Sequence, residues 1–281
     1  MSSSLQKPAD TRVGLAYAPG MLELARARPE LVDYIEVPFE QLRHAPKLAE
    51  ELSGIDVVLH CASMSIAGFV APDEATLRAI AFTAARTRTP WIGEHLAFML
   101  ADSLPTGHDT KGKATVLSYT VCPQLSEATV ERVALNLEVV AQAMPVPIIL
   151  ENSPQYFHVP GSDLTMVDFV GRVASRCNVG LLLDLSHFMI TSMNMGTDAC
   201  SDLQRFPLDK VVEIHLSGFA RQSGIVWDDH AAPVSEETFH LLSAVLDRAR
   251  PRAITFEYNW AGGVPGALVE SQLHRVRRMI G

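Results

Sequence analysis

Cysteine is scarce in this chain. Cys61, Cys122, Cys177 and Cys200 are the only four, and no two of them form a CxxC pair. Scattered single thiols of this kind fit reduced cysteines in the cytosol rather than a disulfide framework. Long apolar runs are missing as well. No stretch reaches the roughly 18 uninterrupted apolar residues that span a bilayer. The polar start, Met1-Ser2-Ser3-Ser4-Leu5-Gln6-Lys7-Pro8, has no apolar signal core behind it. These absences lead to a cytoplasmic protein with no membrane association, in which residues 1–10 are a short disordered leader and 11–281 a single domain. Blocks of like charge are absent too, which excludes an acidic tail. The net charge of -9 argues against a protein that grips nucleic acid by neutralising phosphates, so no nucleic-acid partner is expected.

What the chain does contain is a succession of short β-rich runs, most followed by a helical pattern. The runs are 13–17, 33–37, 56–60, 91–95, 147–151, 180–184, 211–216 and 253–257. Several are continuously apolar, such as Val179-Gly180-Leu181-Leu182-Leu183. Continuous rather than alternating polarity suits parallel strands covered on both faces. Between them lie amphipathic segments. Val130, Val133, Ala134 and Leu137 follow helical spacing behind a Ser126 N-cap. Thr165 and Asp168 form a capping-box pattern ahead of Phe169, Val170 and Val173. Eight strand–helix units in 281 residues predict a single (β/α)8 barrel of the triosephosphate-isomerase type, with a doubly wound sheet as the rival. The connection from Phe98 to Leu125, which carries Gly107, Lys111, Gly112 and Lys113, is long enough to be read as a lid or binding loop.

The polar residues that end these runs carry the functional signal. The third run ends at His60, the fourth at Glu94-His95, the fifth at Glu151, followed by Asn152. The sixth ends at Asp184, with His187 one turn on. The seventh carries His215 and the eighth ends at Glu257. The loop after the seventh adds Asp228 and His230. In a barrel all of these fall at the C-terminal mouth, where active sites are built. Singly, each has a bland reading: a hydrogen-bonded core histidine, an ion-pair carboxylate, or, for Asp184, a helix cap. Together they would bury many ionisable groups in one place, which is costly without a cation. Carboxylate and imidazole ligands suit hard or borderline divalent ions, and a carboxylate at the central Glu151 can bridge two of them. The predicted metal ligands are therefore His60, His95, Glu151, Asp184, His187, His215, Asp228, His230 and Glu257. Glu36, Glu94 and Asn152 are predicted to support them. Of the remaining histidines, His44, His108, His158, His240 and His274 read as surface or hydrogen-bonded residues. Tyr156, Trp227 and Asn259 are candidates for holding a substrate.

These segments together resemble the multinuclear non-heme iron-dependent oxidative enzymes, the family of the methanobactin-biosynthesis oxidase. The matching pieces are Leu59-His60, Glu94-His95-Leu96, Leu150-Glu151-Asn152, Leu182-Leu183-Asp184, Ile214-His215-Leu216-Ser217-Gly218, the run from Asp228 to Val234, and Thr255-Phe256-Glu257. They span nearly the whole chain in family order. The resemblance implies a xylose-isomerase-like barrel holding two or three iron ions of mixed Fe(II)/Fe(III) state. It implies a reaction with dioxygen on a cysteine of a ribosomally made precursor peptide, with a separate partner protein presenting the peptide. The outcome would be heterocycle formation or carbon–carbon cleavage. Excision of the β-carbon of a C-terminal cysteine, known in one branch, is the reading favoured here. By position, His60, His95, Glu151, Asp184, His215, Asp228, His230 and Glu257 take the ligand roles. Many relatives carry Asn where this chain has His187, Thr at Asp229 and a charged residue at Asn259. His187 also brings the pattern close to apurinic endonucleases, which makes a trinuclear zinc phosphodiesterase the alternative. A sugar isomerase and a metal-storing barrel are more distant rivals.

Overall fold

The computed structural model describes residues 10–102, 114–259 and 265–281. Its strands are β1 (Arg12–Ala16), β2 (Tyr34–Pro38), β3 (Val57–Cys61), β4 (Ile92–His95), β5 (Phe98–Asp102), β6 (Ala114–Val121), β7 (Ile148–Glu151), β8 (Gly180–Asp184), β9 (Val211–Leu216), β10 (Ala220–Gln222), β11 (Ile225–Trp227) and β12 (Ala253–Phe256). The α-helices are α1 (Pro19–Ala27), α2 (Phe39–His44), α3 (Leu48–Glu51), α4 (Glu74–Thr87), α5 (Glu127–Ala143), α6 (Met166–Cys177), α7 (Leu185–Met195), α8 (Ala199–Arg205), α9 (Glu236–Leu246) and α10 (Gly266–Ile280). Eight strands close in the order β1-β12-β9-β8-β7-β4-β3-β2, each parallel to its neighbours. The doubly wound alternative is thereby excluded, and all eight predicted runs are barrel strands.

The helices form for the reasons legible in their first turns. Ser126 accepts a hydrogen bond from the Thr129 amide and starts α5, whose Val130, Val133, Ala134 and Leu137 are buried. Thr165 accepts from the Asp168 amide and starts α6, with Phe169, Val170 and Val173 buried. The main core lies between strands and helices, where outward strand residues such as Leu59, Leu150 and Leu183 meet helix residues such as Val133, Val170 and Phe239.

Strand alternation sends the other half of each strand into the barrel. Deep inside, Tyr34, Val58, Trp91, Ile149, Leu182 and Ala253 form a small apolar cluster. Glu213 crosses this level, accepting from Trp91 Nε1 at 2.7 Å and from Thr255 Oγ1 at 2.7 Å, while the Tyr34 hydroxyl lies 2.7 Å from Thr255 Oγ1. Burial pushes the Glu213 carboxyl up to about 7. One inward step further along each strand is the mouth.

Two additions decorate that mouth. The long segment after β4 is not a plain loop. Its described parts form an antiparallel hairpin, β5 with β6. Ser65 Oγ pins the hairpin to the β3 loop by accepting from the Met99 and Leu100 amides. Gly107, Lys111, Gly112 and Lys113 lie outside the described residues, as do residues 1–9 of the expected leader. The second addition is the β10–β11 hairpin. Its two-residue turn, Ser223-Gly224, has φ of 52° and 83°. Both residues are left-handed, the conformation that matches the twist of a tight hairpin.

Candidate metal centre

The strand registers bring the polar ends together. His95 pairs beside Glu151, and Asp184 beside His215. Glu257, the first residue past β12, donates its amide to Leu216 O. Among the described residues, the ligand atoms gather in groups whose members lie within 4.8 Å of one another: His60, His95 and Glu151; Glu151, Asp184, His215 and Glu257; His187, Asp228 and His230. All nine predicted ligands are in these groups. Glu151 belongs to two of them.

The distances have the scale of a coordination sphere. His60 Nε2 and His95 Nε2 stand 3.1 and 3.3 Å from Glu151 Oε2. His215 Nδ1 is 3.2 Å from Glu257 Oε2, and His187 Nε2 is 3.0 Å from Asp228 Oδ2. Ligands bound to one ion at about 2.1 Å are separated from each other by about 3.0–3.4 Å. Many of these atoms also lack a hydrogen-bond partner. Both Glu151 oxygens, Asp184 Oδ2, His215 Nδ1, Asp228 Oδ1 and His230 Nε2 are buried without a hydrogen bond, their near neighbours being other candidate ligands, as His230 Nε2 is to Asp228 Oδ1 at 2.9 Å. Orphaned buried carboxylate oxygens would be expensive in a finished structure. Cations facing them would resolve the cost, so the donor set fits divalent metal.

Surrounding groups fix which ring nitrogen faces inward. His215 Nε2 lies 3.0 Å from Glu36 Oε2, which leaves Nδ1 toward Glu151 and Glu257. His187 Nδ1 donates to Asn152 O at 2.9 Å, which leaves Nε2 toward Asp228. His95 Nδ1 lies 3.3 Å from Cys61 O, which leaves Nε2 toward Glu151. Carboxylate or carbonyl acceptors behind a ligating imidazole are the usual means of setting its tautomer. Asn152 also clamps the Asp184 backbone, donating to its carbonyl and accepting from its amide, both at 2.9 Å. Asp184 uses its two oxygens separately. Oδ1 caps α7 by accepting from the His187 amide at 2.6 Å, and Oδ2 is left unpaired in the cluster. Cap and candidate ligand are thus one side chain. The His60 ring sits over Gly93, where an added Cβ would lie 2.4 Å from Nδ1. His230 has a φ of 53°, a left-handed backbone rare for a residue with a side chain. Its carbonyl accepts from the Asn259 amide at 2.8 Å.

The electrostatics of the ion-free cluster are those of acids and imidazoles crowded together. Burial opposes charge on His60, yet Glu151 and Glu36 hold it protonated up to about 10. His230 is held at about 9, against burial, by Asp228 and Glu257. Burial pushes Asp184 up to about 7, and the neighbouring carboxylates Glu151 and Glu257 add to that rise. Protons occupy sites that cations would compete for. His95 is lowered, chiefly by burial, so it is already a neutral imidazole.

Some predicted residues lie elsewhere. The Glu94 side chain turns from the cluster and accepts from the Met64 and His95 amides. Cys61 points toward Glu40, with its sulfur 3.8 Å from Glu40 Oε1, and burial pushes its thiol well up. It is a neutral packing thiol beside a ligand strand. His44, His158, His240 and His274 are exposed, and His108 lies outside the described residues. Tyr156 and Trp227 do face one another at the mouth, their ring centroids 4.7 Å apart. Asn259 is exposed behind His230. Glu213 was not singled out in the sequence. Its signal is an acid two residues before His215 in an otherwise apolar strand.

Comparison with known proteins bears on the family and the fold. The UPF0276 protein of Streptomyces avermitilis is 26% identical over 95% of this chain, which spans 54% of that protein. The UPF0276 protein of Bordetella pertussis is 28% identical over 92% of this chain and 90% of its own length. Among solved structures, D-psicose 3-epimerase from Clostridium cellulolyticum H10 is similar at a TM-score of 0.54 and 13% identity, covering 96% of this chain and 98% of its own. Endonuclease IV from Thermus thermophilus is similar at 0.56 and 14%, with the same coverage of both chains. At such identities these two establish the barrel fold alone. No described helix is long and apolar enough to cross a membrane. A family model described as RiPP precursor modification enzyme MbnB/TglH/ChrH matches residues 12–268, and the chain belongs to that family.

Proposed function

We propose that this protein is a cytoplasmic, iron- and dioxygen-dependent oxidase that modifies a cysteine of a ribosomally made precursor peptide. The reading favours excision of the β-carbon from a C-terminal cysteine, with a separate partner protein presenting the peptide. The observation that carries it is the shared Glu151 carboxylate, which joins two ligand groups into one cluster. His60, His95 and Glu151 would hold one iron, and Glu151, Asp184, His215 and Glu257 a second. His187, Asp228 and His230 would hold a third. Bound iron in mixed Fe(II)/Fe(III) state supplies electrons for dioxygen and a Lewis-acid seat for a thiolate.

The chain's own residues set the rest. Glu36, Asn152 and the Cys61 carbonyl hold three imidazoles in the orientation that faces the cluster. Tyr156 and Trp227 form part of the wall of a cavity that opens on the cluster beside His95 and His187, and Asn259 supports the His230 turn. Among the described residues that line that cavity there is no Lys or Arg. A phosphodiesterase would need cations there to hold a polyanionic strand, so the zinc hydrolase is the weaker reading.

Metal analysis and Mössbauer spectroscopy on anaerobically purified protein test the iron assignment. Incubation with dioxygen and a peptide ending in cysteine, followed by mass spectrometry, tests the reaction. Iron-dependent loss of mass at the terminal cysteine is expected. Full activity in protein stripped of iron would sink the proposal.

A further inference from the structure

The cavity beside the cluster has a volume of about 520 Å³. His95, His187 and Asp228 form the side nearest the candidate metals. Most of the remaining lining is apolar, with Val121, Cys122, Pro154, Tyr156, Phe157 and Trp227 contributing, while Thr120, Ser153 and Gln155 add polar groups. Asp228, the one charged residue apart from the histidines among the described lining residues, already faces His187 and His230. Burial pushes the Cys122 thiol up to about 12, so it acts as a small apolar group rather than a nucleophile.

The aromatic wall is held in place from behind. Tyr156 follows β7 and Trp227 ends β11, so nothing in the chain keeps them together locally. Asn194, in the last turn of α7, does so. Its Nδ2 donates to Gln155 O at 3.1 Å and to Val226 O at 2.9 Å, and its Oδ1 accepts from the Val226 amide at 2.9 Å. Each of those backbone groups immediately precedes one of the two facing rings. Thr191, also on α7, accepts from the Gln155 amide at 3.0 Å. The helix that begins at Asp184 and carries His187 therefore also fixes the aromatic wall. A wall pre-set in this way selects a side chain without paying to order itself.

We propose that this cavity is a side-chain subsite for an apolar, preferentially aromatic, residue immediately preceding the modified cysteine, with Tyr156 and Trp227 as specificity-determining residues and Asn194 as the residue that positions them. The inference rests on the peptide-oxidase reading above. Adjacency follows from continuity, because the cavity shares His95, His187 and Asp228 with the cluster. The apolar class follows from the lining. An acidic side chain would meet the Asp228 carboxylate and no Lys or Arg among the described lining residues, and a glycine would leave the aromatic faces wet. An aromatic ring can pack on the Tyr156–Trp227 pair.

Calorimetric titration of the iron-loaded protein under anaerobic conditions tests this, with acetyl-Gly-Xaa-Cys tripeptides in which Xaa is Phe, Leu, Gly, Asp or Lys. The Phe peptide is expected to bind about tenfold more tightly than the Gly peptide, with Leu between them and Asp and Lys weakest. Trp227→Ala and Tyr156→Ala should bring the Phe-to-Gly ratio close to one. Asn194→Ala should lower the ratio while leaving the affinity of the Gly peptide unchanged, a split that general loosening of the fold would not produce. Equal affinities across the series, no binding by any member, or a ratio that survives Trp227→Ala overturns the subsite. Acetyl-Gly-Phe-Ser separates the two readings. If it binds as tightly as the cysteine peptide and the Phe preference persists, the thiol reading falls and the subsite stands.

Discussion

Glu151→Gln is the most informative single change. Gln matches Glu in volume and removes only the carboxylate charge, so packing is preserved. Glu151 is shared by the His60–His95 group and the Asp184–His215–Glu257 group; His215 also belongs to a deeper group with Glu36 and Glu213, but it does not reach the His60–His95 group. The variant should therefore lose two of three metal positions together. Each position filled at a thousandfold excess over its Kd stabilises the fold by about 4 kcal/mol, and about 2 °C of Tm accompanies each kcal/mol in a chain of this size, so two lost positions remove about 16 °C of the metal-induced rise. Anaerobic reconstitution with Fe(II), elemental analysis and thermal melts, each variant referenced to its own chelator-treated form, measure both quantities. Retention of the full metal complement, or loss of one position only, would refute the bridging role.

Asp228→Asn should empty only the third position, because its contacts run to His187 and His230; elemental analysis should show one ion fewer with the other two retained. Gly93→Ala places a Cβ 2.4 Å from His60 Nδ1, and such overpacking costs about 1–3 kcal/mol. It should lower the melting temperature and weaken metal binding at the His60–His95 position first. Cysteine alkylation should follow burial and pH. With its thiol at about 12, Cys122 presents about one thiolate in ten thousand at pH 8. Iodoacetamide with peptide mapping should therefore label exposed Cys200 and spare Cys61 and Cys122. Raising the pH toward 10 should increase labelling of Cys122, since its anion is what reacts. Prompt labelling of Cys61 at pH 8 would contradict its neutral, enclosed position.

The barrel was legible because its strands are covered on both faces and read as continuous apolar runs. The cluster was legible because the last inward residue of each run is polar where a core would prefer Leu or Val. His60, His95, Glu151, Asp184 and His215 all follow that rule. The deeper polar layer was not. Glu213, Thr255 and Tyr34 sit inside runs rather than at their ends, and only the cross-barrel register reveals that they meet. The hairpin of β5 and β6 reads as a loop in the sequence because no helix is described between its two strands, and the signal used is strand–helix alternation. Asn194 gives no sequence signal at all. It sits in the last turn of a helix, and its role depends on a loop at Gln155 and a strand at Val226 that arrive from elsewhere in the chain.

The divided use of Asp184 has a practical consequence. One oxygen holds the first turn of α7 while the other faces the candidate metals. Withdrawing the ions leaves that carboxyl buried beside other acids, where it takes up a proton more readily and caps more weakly. Deuterium uptake at the His187 amide should then rise when the ions leave, giving a readout of occupancy that needs neither colour nor turnover.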